Sequence, residues 1–316
     1  MTPGTALPRD LQQEIETQLS ADGGEISIRN AQVAGGSSFH RSWTLHLSNG
    51  REAFLKSNSA APQGMFQREA EGLRALAAAR DAQAGLEAEL MLPKVLAVGE
   101  AGHPFLLLER IATGPRPAGF SARFGRALAR LHKASTRDPH AAQGYGFEHD
   151  NFLGTTPQPN PWTEDWVDFW RRHRLGFQLD LARRQGLSTG ELNRLGDRVL
   201  DRLGELIGEP MGETGEPPTL IHGDLWGGNY LVSADGLPVL IDPAAYYGRR
   251  EAELAMTRLF GGFDADFESG YQEVWPLEPG AEERLQLYQL YHLLNHLNLF
   301  GGGYLDSCLR LLRRFA

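Results

Sequence analysis

The sequence predicts an α+β chain in two lobes, an antiparallel sheet carrying one helix followed by a longer, mostly helical part. Three observations carry this. Apolar and polar residues alternate with a period of two through "SWTLHL" and "EAFLKS", on either side of "SNG", within residues 42–57. The stretch "ATGPRPAGF" at 112–120 concentrates glycine and proline, which resist regular structure and mark a linker. Beyond it, apolar residues recur three and four apart, the spacing of one helix face. The lobes are therefore placed at residues 1–111 and 112–316.

The elements follow in order. "PRDLQQEIETQL" predicts a short amphipathic helix over 8–20, and "VAGGSSF" at 33–39 a glycine-containing turn between strands. Asn49-Gly50 closes a hairpin between the two alternating segments, because that dipeptide accepts the positive φ of a tight turn. Ala, Leu and Glu dominate "MFQREAEGLRALAAAR", a helix over 65–80. "VLAVGE" and "PFLLLERI" supply two further strands. Past the linker, "FGRALARLHKAS" and the run from about Pro161 to Leu206 have helical spacing, and "GEPMGETGEPP" at 208–218 is a connecting loop. Short apolar strands "TLIH", "NYLVS" and "PVLIDP" flank a polar loop, and helical spacing returns at 251–261 and from about 280 to the end.

Composition bounds the function. The 316 residues carry 31 Lys and Arg against 40 Asp and Glu, a formal net charge of −9. Neither nucleic acid nor an anionic membrane would attract such a chain. Charged residues make up 22% and hydrophobic ones 41%, as in ordinary soluble proteins. Cys308 is the single cysteine, so no internal disulfide can form, which fits a reducing cytosol. No basic, apolar leader opens the sequence, and no segment reaches the roughly 20 apolar residues that cross a bilayer. The expectation is a soluble, cytoplasmic monomer.

The polar loop "LIHGDLWGGN" at 220–229 carries the chemistry. His222, Asp224 and Asn229 fit H-x-D-x-x-x-x-N, in which the Asp accepts a hydroxyl proton and the Asn holds magnesium during phosphoryl transfer from ATP. Asp242 stands 242 − 224 = 18 residues further on, and a hairpin turning at "SADG" would return it beside Asn229 as a second metal ligand. Asp and Asn also cap turns, but the ordered set needs more than a cap. Lys56, on the second strand of the hairpin, is placed to contact ATP phosphates, with Glu69 or its rival Glu71 as partner; spacing does not separate the two. Gly35, Gly36, Ser37 and Ser38 would fold over the phosphates with backbone N–H groups and hydroxyls. Glu109 and Ile111 end the sheet lobe where adenine would bind. A sheet lobe, linker and helical lobe with such a loop is the bilobal, protein-kinase-like layout. "HLLNH" at 292–296 spaces two histidines as in a helical zinc site, but it lacks the glutamate and a third ligand and reads as packing.

"HGD" rather than "HRD", and "DP" rather than "DFG", point to the aminoglycoside phosphotransferase and choline kinase branch of this fold. Within it, the sequence closely resembles the fructosamine kinase (ketosamine 3-kinase) family. The resemblance is carried by "GGSS", "AFLKSN", "MFQREAEGL", "HDNFLGTTPQPN", "LIHGDLWGGN", "IDPAAYYGRREAELAMTRLFGGF" and "LYQLYHLLNHLNLFGGGYL", from about residue 25 to the last helix. It implies ATP- and magnesium-dependent phosphorylation of the sugar 3-hydroxyl of ketosamines or of glycated lysine side chains. The product then decomposes and frees the amine, a deglycating repair. By position, Asp224 is the base, Asn229 and Asp242 the metal ligands, and Lys56 and Glu69 the phosphate-binding pair. Trp226, Tyr246 and Tyr247 are candidates for walling the sugar pocket, with core packing as the alternative. "HDNFLGTTPQPN" either lines the same cleft or stabilises a long loop. A sister kinase acting on an aminoglycoside, choline or another alcohol would keep the nucleotide residues and change the pocket. Some family members carry a cysteine in the glycine-rich turn and form redox-sensitive dimers; this turn has none, so no such switch is expected.

Overall fold

A computed structural model of the chain describes residues 7–21, 24–37, 40–100, 102–208 and 216–316, with backbone alone at 35–37. α1 (Arg9–Leu19) buries Leu11 and Ile15, four apart on one face. β1 (Ile28–Ser37), β2 (His40–Leu47) and β3 (Glu52–Ser57) form an antiparallel meander. Gly50 takes φ 81° at the Asn-Gly turn, as its lack of a Cβ permits. α2 (Met65–Asp81) follows, and β4 (Val95–Gly99) and β5 (Phe105–Glu109) complete a five-stranded antiparallel sheet in the order β1-β2-β3-β5-β4. Lys56 thus sits on the central strand, in register with Ser42 on one side and Leu106 on the other.

The run "FLLL" in β5 breaks alternation because both sheet faces are covered. Phe105 and Leu107 join Trp43, Leu45 and Leu55 in a core under α1. Leu106 and Leu108 face the other way, into a larger core shared with α2 and the helical lobe. β1 continues through Gly35 and Gly36 to Ser37, further than the turn expected at 33–39; Ser38 and Phe39 lie outside the described residues.

In the second lobe α3 (Phe120–Ser135) leads to a hairpin of β6 (Asn151–Leu153) and β7 (Thr156–Gln158). The helical run expected to Leu206 is interrupted. It comprises α4 (Trp166–Phe169), a π-helical turn (Trp170–Leu175), α5 (Gly176–Arg184) and α6 (Gly190–Ile207). Gly186, at φ 70°, turns the chain after α5, and Thr189 caps α6 by accepting the Leu192 N–H (3.1 Å). β8 (Thr219–Ile221), β9 (Tyr230–Val232), β10 (Pro238–Leu240) and β11 (Tyr246–Gly248) pair as two ladders, β9 with β10 and β8 with β11. α7 (Arg250–Leu259), α8 (Ala265–Val274), α9 (Ala281–Phe300) and α10 (Leu305–Phe315) complete the lobe. α8 was not expected from apolar spacing; Asp264 caps it by accepting the Phe267 N–H (3.0 Å). Among the described residues, no helix is long and apolar enough to cross a membrane.

Candidate active site

The polar loop is held by its own backbone and by the strands it connects. Gly223 takes φ 82°, and a Cβ there would stand 2.1 Å from the Ala244 carbonyl oxygen, so only glycine lets the two segments pass. His222 Nε2 donates to the Ile241 carbonyl (2.8 Å), while Nδ1 accepts the Asp224 N–H (3.3 Å). Burial lowers this imidazole to about 4, so it is a neutral strut tying the loop to the residue before Asp242. The Ile241 N–H returns to the Asn229 carbonyl (3.1 Å). Gly227 packs against Gly262, where a Cβ would approach the Gly227 Cα to 2.3 Å, so the loop rests on the backbone after α7.

Asp224 projects into a cleft of about 500 Å³ that Trp226, Asn229 and Asp242 also line. Asn229 Nδ2 donates to the Asp224 main-chain oxygen (2.8 Å) and to its Oδ2 (2.9 Å). Burial raises the Asp224 carboxyl well above its usual range; the Asn229 bond opposes this, and Asp242 and Glu253 add to it. Asp242 occupies the left-handed region at φ 57°, the one non-glycine among the described residues to do so. Such backbone is held only where its surroundings over-determine it. Burial would raise its carboxyl too, but the Lys56 ammonium, with His40 and His222, outweighs that and keeps it below the usual range.

Lys56, 3% exposed, donates to Glu69 Oε1 (2.7 Å) and to Asp242 Oδ1. Burial works against its charge, yet Asp242 and Glu69 together raise it above the normal lysine range. Glu71 instead accepts from Arg68 (2.7 Å) and lies 3.2 Å from His149 Nδ1. A second cavity, about 290 Å³, is lined by Ala34, Lys56, Leu108, Glu109, Ile111 and Asp242, among others. Gly35, Gly36 and Ser37 end β1 just beyond Ala34. Asp242 lines both cavities, so they meet at this residue.

The donor set of Asn229 and Asp242 suits magnesium. The Asn229 nitrogen is committed to Asp224, which leaves its amide oxygen for a cation, and Asp242 adds a carboxylate. One or two protein oxygens plus phosphate oxygens is how magnesium is commonly held with nucleotides.

One sequence expectation is corrected. Tyr246 and Tyr247 do not wall the cleft: they lie in β11, 2% and 3% exposed. The Arg174 guanidinium stacks 3.9 Å from the Tyr246 ring, and Tyr247 packs on Trp162 and His140. Within "HDNFLGTTPQPN", Asn151, Phe152, Leu153 and Gly154 of the β6–β7 hairpin do line the cleft. Trp226 lines it as well, 38% exposed, its ring lying so close over Gly228 that a Cβ there would meet it at 2.4 Å. Of the two spaced histidines, His292 is buried, while His296 faces the cleft and donates from Nδ1 to the His292 carbonyl (2.8 Å).

Sequence reasoning missed Glu253. Fully buried on α7, it accepts the Gly223 N–H (3.1 Å) beneath Asp224, and its Oε1 has no hydrogen-bond partner among the described residues. Burial pushes it up to about 7. In sequence it looks like an acid in the first turn of a helix, where the dipole explains it.

A sheet lobe with a buried lysine–glutamate pair, facing a helical lobe with an Asp/Asn loop, defines a phosphotransferase of the protein-kinase-like fold. The fructosamine kinase family model matches residues 11–316, and the chain belongs to that family. It is 39% identical over 304 residues to a probable ketoamine kinase of Synechocystis, covering 96% of each chain. It is 37% identical over 298 residues to a chloroplastic protein-ribulosamine 3-kinase of Oryza sativa subsp. japonica, covering 94% of this chain and 82% of that one. The crystal structure of a protein described as a fructosamine-3-kinase of Thermobifida fusca superposes with TM-score 0.82 at 30% identity, over 97% of this chain and 98% of that one.

Proposed function

We propose that this chain is an ATP-dependent kinase that phosphorylates the sugar 3-hydroxyl of ketosamines, the fructosamine and ribulosamine adducts of amines and proteins. Residues 1–111 form the nucleotide-binding lobe and residues 112–316 the catalytic and substrate-binding lobe. The observation that carries the reading is the meeting of two cavities at Asp242, with Asp224 opening on the larger. A sister activity on aminoglycosides or choline is not favoured, because the relatives that match nearly the whole chain carry ketosamine names.

Asp224 orients the sugar 3-hydroxyl and accepts its proton at Oδ1, the oxygen that Asn229 leaves open. Its raised pKa makes it a stronger base than a surface aspartate, and the loop beneath holds it in place. Lys56, oriented by Glu69, presents its ammonium to the phosphates from the central strand. Gly35, Gly36, Ser37 and Ser38 would cover those phosphates, and Glu109 and Ile111 would receive the adenine. Magnesium, held by Asn229 and Asp242, would supply charge neutralisation at the phosphate oxygens.

The test is ATP-dependent phosphorylation of fructose-lysine and ribulose-lysine by the wild type and by Asp224→Asn. Loss of the base should lower kcat by about 10²–10⁴-fold while leaving ATP affinity within about twofold. Near-normal turnover by the variant would remove Asp224 from the role of base.

A further inference from the structure

The cleft is more than a sugar pocket. A row of rings leads away from the Asp224 loop to the surface. Trp226 meets Phe260 edge-on at 6.5 Å, and Phe260 lies 4.4 Å from His296. His296 in turn lies 5.4 Å from Phe300 and 5.0 Å from Tyr304. His296, Phe300 and Tyr304 all line the cleft, and Phe300 is 52% exposed at the end of α9. Isolated exposed apolar side chains need no explanation, but a continuous aromatic wall opening from a reactive cleft does.

We propose that His296, Phe300 and Tyr304 form a subsite for the hydrocarbon arm of the amine, and that they select ketosamines borne on lysine side chains over those of short amines. This rests on the ketosamine reading above. The chemistry requires that the arm leave the cleft. With the 3-hydroxyl at Asp224, the amine nitrogen hangs on C1, two carbons along the sugar, and its other substituent must run out of the cleft. The carboxylates lie around the reacting end, at Asp224, Asp242 and Glu69, where a protonated amine is also welcome. The aromatic wall has no charged group of its own: burial lowers the His296 pKa, so that ring is neutral at physiological pH. Aromatic faces accept both a methylene chain and, near the sugar, an ammonium.

The experiment compares kcat and KM for the fructose adducts of Nα-acetyl-lysine and of methylamine. Wild type, Phe300→Ala, Tyr304→Ala and the conservative Phe300→Leu are assayed with each. Wild type should favour the lysine adduct by about tenfold or more in kcat/KM, the scale of a few buried methylenes. The two alanine variants should lose that preference through a higher KM for the lysine adduct alone, with kcat for both adducts within about twofold. Phe300→Leu should recover part of it. An unchanged preference in both alanine variants, or an equal rise in KM for both adducts, would overturn the subsite. Failure of wild type to phosphorylate either adduct would instead overturn the ketosamine reading and the subsite together.

Discussion

Lys56 is charged, buried and shared between two carboxylates that come from different lobes. Removing one partner of a buried pair leaves charge uncompensated, so Glu69→Gln should cost about 1–3 kcal/mol of stability and weaken ATP binding. Glu71→Gln breaks only a more exposed pair and should stay within about 0.5 kcal/mol with ATP binding intact. Urea unfolding and ATP titration of both variants check this; equal effects would mean that the Lys56–Glu69 contact has no special weight. Individual residues were legible in the sequence where a local spacing encoded them, as for His222, Asp224 and Asn229. Glu253 and Phe300 were not, because their significance comes from contacts across the fold: Glu253 meets Gly223 over 30 positions, and Phe300 borders a cleft whose base is 76 residues earlier (300 − 224).

Among the elements, α3 and α8 cross at an unusually close distance. A Cβ at Gly125 would stand 2.0 Å from the Phe267 oxygen, and one at Gly270 would stand 2.1 Å from the Ala122 oxygen. Gly125→Ala and Gly270→Ala should each destabilise by about 1–3 kcal/mol, since the helices must part to admit the methyl. Because one separation serves both, the double variant should cost less than the sum. Denaturant midpoints of the three proteins decide it, and strict additivity would mean that the helices do not move as bodies. The β2–β3 hairpin, α2 and α9 were legible because their periodicity is local. The β6–β7 hairpin was not: its strands are three residues each, too short to show alternation. Nor was the break after Arg184, since apolar spacing resumes in α6 on the far side of a five-residue gap that periodicity alone reads through.

At the scale of the whole molecule, the core holds histidines that folding keeps neutral. His132, fully buried, bonds Tyr271 at 2.8 Å, and burial, with Arg250 nearby, lowers it to about 3. An unfolded histidine titrates near about 6.5, so below that pH the unfolded chain takes up a proton that the folded chain refuses. Its contribution is complete above about pH 6.5 and is lost as pH falls toward the folded value, at about 1.4 kcal/mol per pH unit. The stability of His132→Asn relative to wild type should therefore improve by that amount per unit between about pH 6.5 and 5. Parallel pH dependences in the two proteins would show that His132 is protonated inside the fold. The overall two-lobe plan was visible in the sequence because the linker and the change of periodicity are both local signals. The sharing of one large core between the sheet's inner face, α2 and the helical lobe was not, since it depends on which way β5 turns its side chains. The junction of the two cavities at Asp242 has a practical consequence for inhibitor design. A compound confined to the 290 Å³ cavity proposed for the nucleotide would address features common to the whole fold. One that joins an adenosine group to a ketosamine mimic would have to thread past Asp242, and there it would gain both the effective concentration of a tethered pair and the selectivity of the aromatic-walled cleft.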